Sequence, residues 1–341
     1  MLTRQLRARA MSATPESHSA RYFALLYASA AQRPALEALF GIEREVFDSL
    51  RPGLDHHVAH SRLQWWREEC ERAAGGRAVH PLTRALVSAL GGAGSGAASG
   101  APGDAAGGAA GGAPLLVGAA ALDREAAAVT PAHAAAALST VAVGSVTQQR
   151  ANPLPQLAGL CGIVDVAIWD LAGATFETRS ELEAYCQRWA AGMIEPLVPA
   201  GRSVEWLALG AAMREAELLA DFAREAHNGR IRLPLDELGR ANVDINALPK
   251  PPWPDAVAEL IRARLKSLRN DIERNLAGLD REQQPSVRGL LVWAALTWRT
   301  AHRAERALPN RLQPGRLDAI SDAWFAWRIA RRATIGRLRL N

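Results

Sequence analysis

Residues 209–238, LGAAMREAELLADFAREAHNGRIRLPLDEL, decide the fold. Apolar side chains at Leu209, Ala212, Met213, Ala216, Leu219, Ala220 and Ala223 repeat at the i, i+3, i+4, i+7 spacing of one helix face. On another face Glu217, Asp221 and Glu225 stand four residues apart, which lines their carboxylates up along one helix axis. Asn228-Gly229 is a stop signal, and Pro234 forbids continuation.

The same period recurs on both sides. Residues 19–49 read as two helices parted near Gln32-Arg33-Pro34, and 62–73 as another, closed by Gly75-Gly76. His80-Pro81-Leu82-Thr83 opens the next. Helical patterning returns at 155–172, 179–196, 255–278, 284–307 and 316–337, and no segment alternates as a strand would. The predicted class is all-α.

Composition limits the organisation. The 341 residues are 49% hydrophobic and 22% charged, with a net charge of +5, as in an ordinary globular protein. No apolar run reaches the roughly 20 residues of a membrane span. Residues 91–152 are dominated by Gly and Ala and read as a flexible insertion, with a marginal helix at 119–137. Residues 1–18 read as a disordered basic leader, somewhat like a transit peptide, within which Met11 offers an alternative start. A single helical domain is expected over 19–341, interrupted by the insertion.

Cys70, Cys161 and Cys186 have neither metal spacing nor a disulfide framework, which suits a reducing cytosol. His56, His57 and His60 lack a fourth ligand and read as surface. The tryptophans sit at helical spacing beside apolar residues and read as packing, so no nucleic-acid partner is expected. The arginine-rich stretch 326–340 leaves room for peripheral contact with an inner-membrane surface.

The opening stretch resembles the second aspartate-rich motif of the squalene/phytoene synthase family, L-G-x-A-L-Q-L-T-N-I-L-R-D-V-x-E-D-x-x-R-G-R-x-Y-L-P, without a gap. Other blocks follow in order: Arg21-Tyr22-Phe23, Arg33-Pro34-Ala35-Leu36, Arg62-Leu63-Gln64-Trp65-Trp66-Arg67-Glu68 with His80-Pro81, Leu182-Glu183-Ala184-Tyr185-Cys186, and the Trp/Arg-rich 324–332. The resemblance implies a type I isoprenoid synthase bundle around a central cavity. In active members it implies Mg2+-dependent head-to-head coupling of prenyl diphosphates. By that resemblance Asp221 and Glu225 would hold metal, with Glu217 adding either a ligand or repulsion. Tyr185 would line the reaction cavity, and Arg230, Arg214 and Arg62 would meet the substrate.

The departures are as informative as the matches. The family's Gln, Asn and Arg become Arg214, Glu217 and Ala220. Its first D-x-x-x-D becomes Phe47 and Arg51, leaving only Asp48 between them. Phenylalanine cannot bind magnesium and arginine repels it, although Arg51 could grip a phosphate directly. After Tyr185 the small residues of active members give way to Arg188 and Trp189, the latter either core or a narrowing of the tunnel. The pattern is similar to the aspartate-poor subgroup that includes complex I assembly factor-like proteins. That similarity implies a prenyl-diphosphate- or lipid-binding protein, or an assembly factor with a protein partner. The other readings are an active prenyltransferase and a peripheral membrane protein.

Overall fold

The computed structural model describes residues 15–51, 53–95, 154–198, 203–312 and 316–340. Helix α1 (Ala20–Tyr27) starts where the Ser19 hydroxyl accepts the Tyr22 amide. Helix α2 (Arg33–Phe47) has Pro34 in its first turn, where a missing N–H costs nothing, and runs into a 3-10 turn at Asp48–Leu50. Helix α3 (His56–Ala74) begins six residues before the expected 62, because the Asp55 carboxylate accepts the amides of His57 and Val58. Helix α4 (Pro81–Ser95) carries on through residues 91–95, which composition had assigned to the insertion. The expected leader up to residue 14, the remainder of the insertion and its marginal helix at 119–137 lie outside the described residues.

Beyond the insertion come α5 (Gly162–Leu171), α6 (Arg179–Met193), α7 (Ser203–Ala220), α8 (Phe222–His227) and α9 (Leu235–Arg240). Three long helices follow: α10 (Asp255–Ala277), α11 (Arg288–Ala307) and α12 (Arg316–Thr334). No strand occurs among the described residues, so the all-α reading holds. The helix expected through 209–227 is broken at Asp221, whose φ of −100° and ψ of 16° separate α7 from α8. Gly229, at φ +76°, then turns the chain into the Arg-Ile-Arg-Leu-Pro exit in a conformation that a side chain would strain.

Helix α7 is the hub, packed by α6, α10 and α11, while α11 also carries α1 and α12. Gly210 allows the α6–α7 approach: a Cβ there would lie 2.6 Å from Ile194 Cγ1 and 2.8 Å from Ala190 Cβ. Where α2, α6 and α11 meet, Trp189 and Trp293 are fully buried. Their ring centroids lie 5.7 Å apart, and Phe40 meets Trp293 edge-on at 5.1 Å. Trp189 is therefore core, and it fills the bundle centre.

The Arg62–Glu68 block joins α3 to α4. Trp65 and Trp66 meet the His80 ring at 5.8 and 4.8 Å. The next residue, buried Glu69, accepts the amides of Val79 and His80, both at 2.8 Å, and also bonds Thr83 and Arg72. Burial tends to raise the Glu69 pKa, but bonds from Thr83, His80, Val79 and Arg72 outweigh it and hold the carboxyl below its ordinary value. A carboxylate at the start of α4 also complements the helix dipole.

Candidate functional site

A cavity of about 910 Å3 opens between α1, α2, α7, α8 and α11, lined by eight arginines and eight carboxylates. Phe40 lines it, whereas Trp189, Trp293 and Tyr185 do not, so it ends at the aromatic centre. Its charges come from segments far apart in sequence. Arg21 of α1 donates to Glu43 of α2 at 3.0 Å and to Glu217 of α7 at 3.3 Å. Two buried indoles complete those acids: Trp189 donates to Glu43 at 2.9 Å, and Trp293 to Glu217 at 2.8 Å. Burial works against the Arg21 charge, but Glu217 and Glu43 more than compensate and raise its pKa.

Arg214 lies below, over the rings of Phe47 at 5.6 Å and Trp189 at 5.2 Å, and donates to the Tyr185 hydroxyl at 3.3 Å. Burial again opposes its charge, and Tyr185, Glu43 and Glu217 restore it, so the guanidinium stays protonated. The Nε–H groups of both Arg21 and Arg214 are buried without a hydrogen-bond partner. Such donors are costly in a closed interior, and an oxyanion that displaced the side chains around them would satisfy them.

A second cluster forms beside α8. Arg232, only 2% exposed, bonds Glu225 through Nε at 2.9 Å and Nη2 at 2.8 Å, and Asp170 through Nη1 at 2.8 Å. The Tyr185 hydroxyl donates to Asp170 at 3.2 Å. Burial raises the Tyr185 pKa although Arg214 and Arg232 pull it down, so the phenol remains neutral. Arg230 stands 4.0 Å from Glu225.

The sequence-predicted residues thus divide. Glu217, Asp221, Glu225, Arg214 and Arg230 do meet at one cavity, and Tyr185 supports it from beneath. Arg51 does not reach it: the 3-10 turn ends α2 before a further helical turn could return residue 51 to the Phe47 face, and Arg51 is exposed. Arg62 lies on α3 in a small separate cleft with His57, Val58, Ser61 and Trp65. His56, His57 and His60 are exposed. Sequence reasoning passed over Glu43 and Asp170, whose signal was an acid set among apolar residues in the runs ALFGIEREV and GIVDVAIWDL.

The donor set does not fit a magnesium box. Glu217 is held by Arg21 and Trp293, and Glu225 by Arg232. Asp221 is paired with Arg224 at 2.5 Å at the helix break. Among the described residues no three acidic, His or Cys side chains group so as to hold a metal ion. Magnesium needs converging oxygens with lone pairs to spare, whereas these face guanidinium and indole N–H groups.

The squalene/phytoene synthase family model matches residues 120–319, more than half of the chain but not the helices before the insertion. Among solved structures, one of a dehydrosqualene synthase in complex with ligand superposes with a TM-score of 0.60 at 16% identity, covering 92% of each chain. Squalene synthase HpnC from Alicyclobacillus acidocaldarius gives a TM-score of 0.53 at 16% identity, covering 85% of this chain and 89% of that one. No curated protein sequence matches significantly. At those identities the structures establish a shared helical fold, and the family model agrees with it. The chain belongs to the squalene/phytoene synthase family.

Proposed function

We propose that this protein is a non-condensing member of its family. Its cavity receives the anionic head of a prenyl diphosphate, or of a related isoprenoid lipid, and holds it with arginine rather than with magnesium. One observation carries this reading: the carboxylates expected to bind metal are already bonded to guanidinium and indole groups, while Arg21 and Arg214 keep unused, buried N–H donors. Arginine grips phosphate oxygens directly, without a bridging ion. Arg230, at the rim and joined to Glu225 only at 4.0 Å, supplies a third cation.

The aromatic floor supports the same reading. Coupling two prenyl chains needs room in the bundle centre, and Trp189, Trp293 and Phe40 occupy it. The remaining 910 Å3 is charged over much of its wall and suits a head group with a short length of chain.

An active Mg2+-dependent prenyltransferase is the second reading, and Asp221 favours it. Asp221 and Arg224 are 51% and 61% exposed, so that pair separates at little cost. Glu217 and Glu225 would still have to leave buried partners.

Calorimetric titration with farnesyl diphosphate in excess EDTA tests the proposal. Binding without metal, weakened in Arg230→Ala, is expected. Binding that requires magnesium would overturn it, and no binding alongside a co-purifying protein would replace it with the assembly-factor reading.

A further inference from the structure

Helix α12 presents an outward stripe that the cavity does not explain. Ile320, Trp324, Trp327 and Ile335 are 70%, 57%, 45% and 61% exposed. Spacings of four and three residues place Ile320, Trp324 and Trp327 along one side of the helix, and Ile335 follows in the turn just past its end. Two arginines lie on the same side: the Arg328 guanidinium stands 4.5 Å from the Trp324 ring centroid, and that of Arg331 5.6 Å from Trp327. The acids of α12 point the other way, where Asp322 bonds Arg299 at 2.9 Å and Arg303 at 2.7 Å, and Asp318 meets Arg303 at 3.6 Å. The stripe therefore carries indole, aliphatic and guanidinium groups and no carboxylate.

We propose that this stripe docks the protein on an anionic lipid bilayer, with Trp324 and Trp327 in the headgroup layer and Arg328 and Arg331 against lipid phosphates. Indoles favour that layer because one part of the ring is apolar and the N–H is polar. Arginines stacked on them place positive charge at the depth of the phosphates. A second copy of the chain is a poorer occupant, because a two-fold interface would set this arginine stripe against itself. No described helix is long and apolar enough to cross a membrane, so the contact is peripheral. The docking face differs from the expected 326–340 segment: it starts one and a half turns earlier, and the helix ends at Thr334.

Sedimentation of the full chain with phosphatidylcholine vesicles, with and without a quarter phosphatidylglycerol, tests the proposal. Binding to the anionic vesicles alone, reduced by added salt, is expected. Arg328→Gln with Arg331→Gln should weaken it about 25-fold, at roughly fivefold per charge near the surface. Trp324→Ser with Trp327→Ser should weaken it at least about tenfold. Both pairs are at the surface, so unchanged circular dichroism and melting temperature will show that the variants are folded. Wild-type protein that ignores anionic vesicles would overturn the proposal, as would variants that bind equally well. A dimer in gel filtration that the tryptophan pair dissolves would assign the stripe to self-association instead. None of these outcomes depends on whether the cavity takes a prenyl diphosphate.

Discussion

Replacing Arg232 with methionine removes the cation that binds α5 to the segment after α7. The side chain is 2% exposed and makes three charge-assisted bonds, at 2.9, 2.8 and 2.8 Å, to Glu225 and Asp170. Methionine keeps much of the stem volume, so the lost quantity is charge pairing rather than packing. Glu225 and Asp170 are 8% and 7% exposed and would be left buried without their cation. Breaking one side of a buried ion pair costs about 3–5 kcal/mol. At about 2 °C per kcal/mol for a domain of this size, the melting temperature should fall by roughly 6–10 °C. Urea denaturation followed by far-UV circular dichroism measures the loss. Arg240→Met supplies the comparison, because the Arg240–Asp236 pair is 71% and 43% exposed and should change stability by less than about 1 kcal/mol. Adding Asp170→Asn to Arg232→Met should recover part of the loss, since one stranded charge disappears. An Arg232→Met loss no larger than that of Arg240→Met would refute the claim that this cluster is a dry, mutually dependent network.

Three further outcomes follow from other parts of the molecule. Glu69→Gln should cost about 2 kcal/mol at neutral pH through weakened bonds at the start of α4. Because the folded-state pKa of Glu69 is depressed, its contribution is complete above the unfolded value of about 4.3 and is lost as pH falls through the folded one. Urea midpoints of wild type and Glu69→Gln should therefore converge on acidification. Trp189→Ala should destabilise by about 3–5 kcal/mol, because it empties the packed centre and strips Glu43 of its indole donor. Stability within about 1 kcal/mol of wild type would mean that the centre is not packed as described. Finally, Cys161 should be the first thiol alkylated by iodoacetamide, as read by mass spectrometry. A hydrogen bond from Cys70 lowers its pKa, while Cys186 is buried and its pKa raised. Early labelling of Cys186 would contradict its burial.

The helical architecture was legible because its signals are local. Period 3.6, the Asn228-Gly229 stop and Pro234 all act within a few residues, and they place the helical stretch that ends at His227 and the turn that follows. The break at Asp221 was not legible, since Leu219, Ala220 and Ala223 continue the apolar period across it. Partners were the larger gap. Arg21 reaches Glu217 across 196 residues and Arg232 reaches Asp170 across 62, and no spacing rule links such positions. The metal expectation rested on carboxylates in line along one helix, whereas each is paired: Glu217 with Arg21 of α1, Asp221 with its neighbour Arg224, and Glu225 with Arg232 of the exit segment. Arg62 was chosen because it opens a family block, and that block holds α3 to α4 through Trp65, Trp66, His80 and Glu69.

The most direct test of the central claim is to follow farnesyl diphosphate with the purified full chain in two arms, with magnesium and with EDTA, measuring bound ligand and released diphosphate together. The account predicts binding in both arms and no release above the rate without protein. Magnesium-dependent release that disappears in Asp221→Ala would contradict it and would establish a working prenyltransferase with an altered first motif.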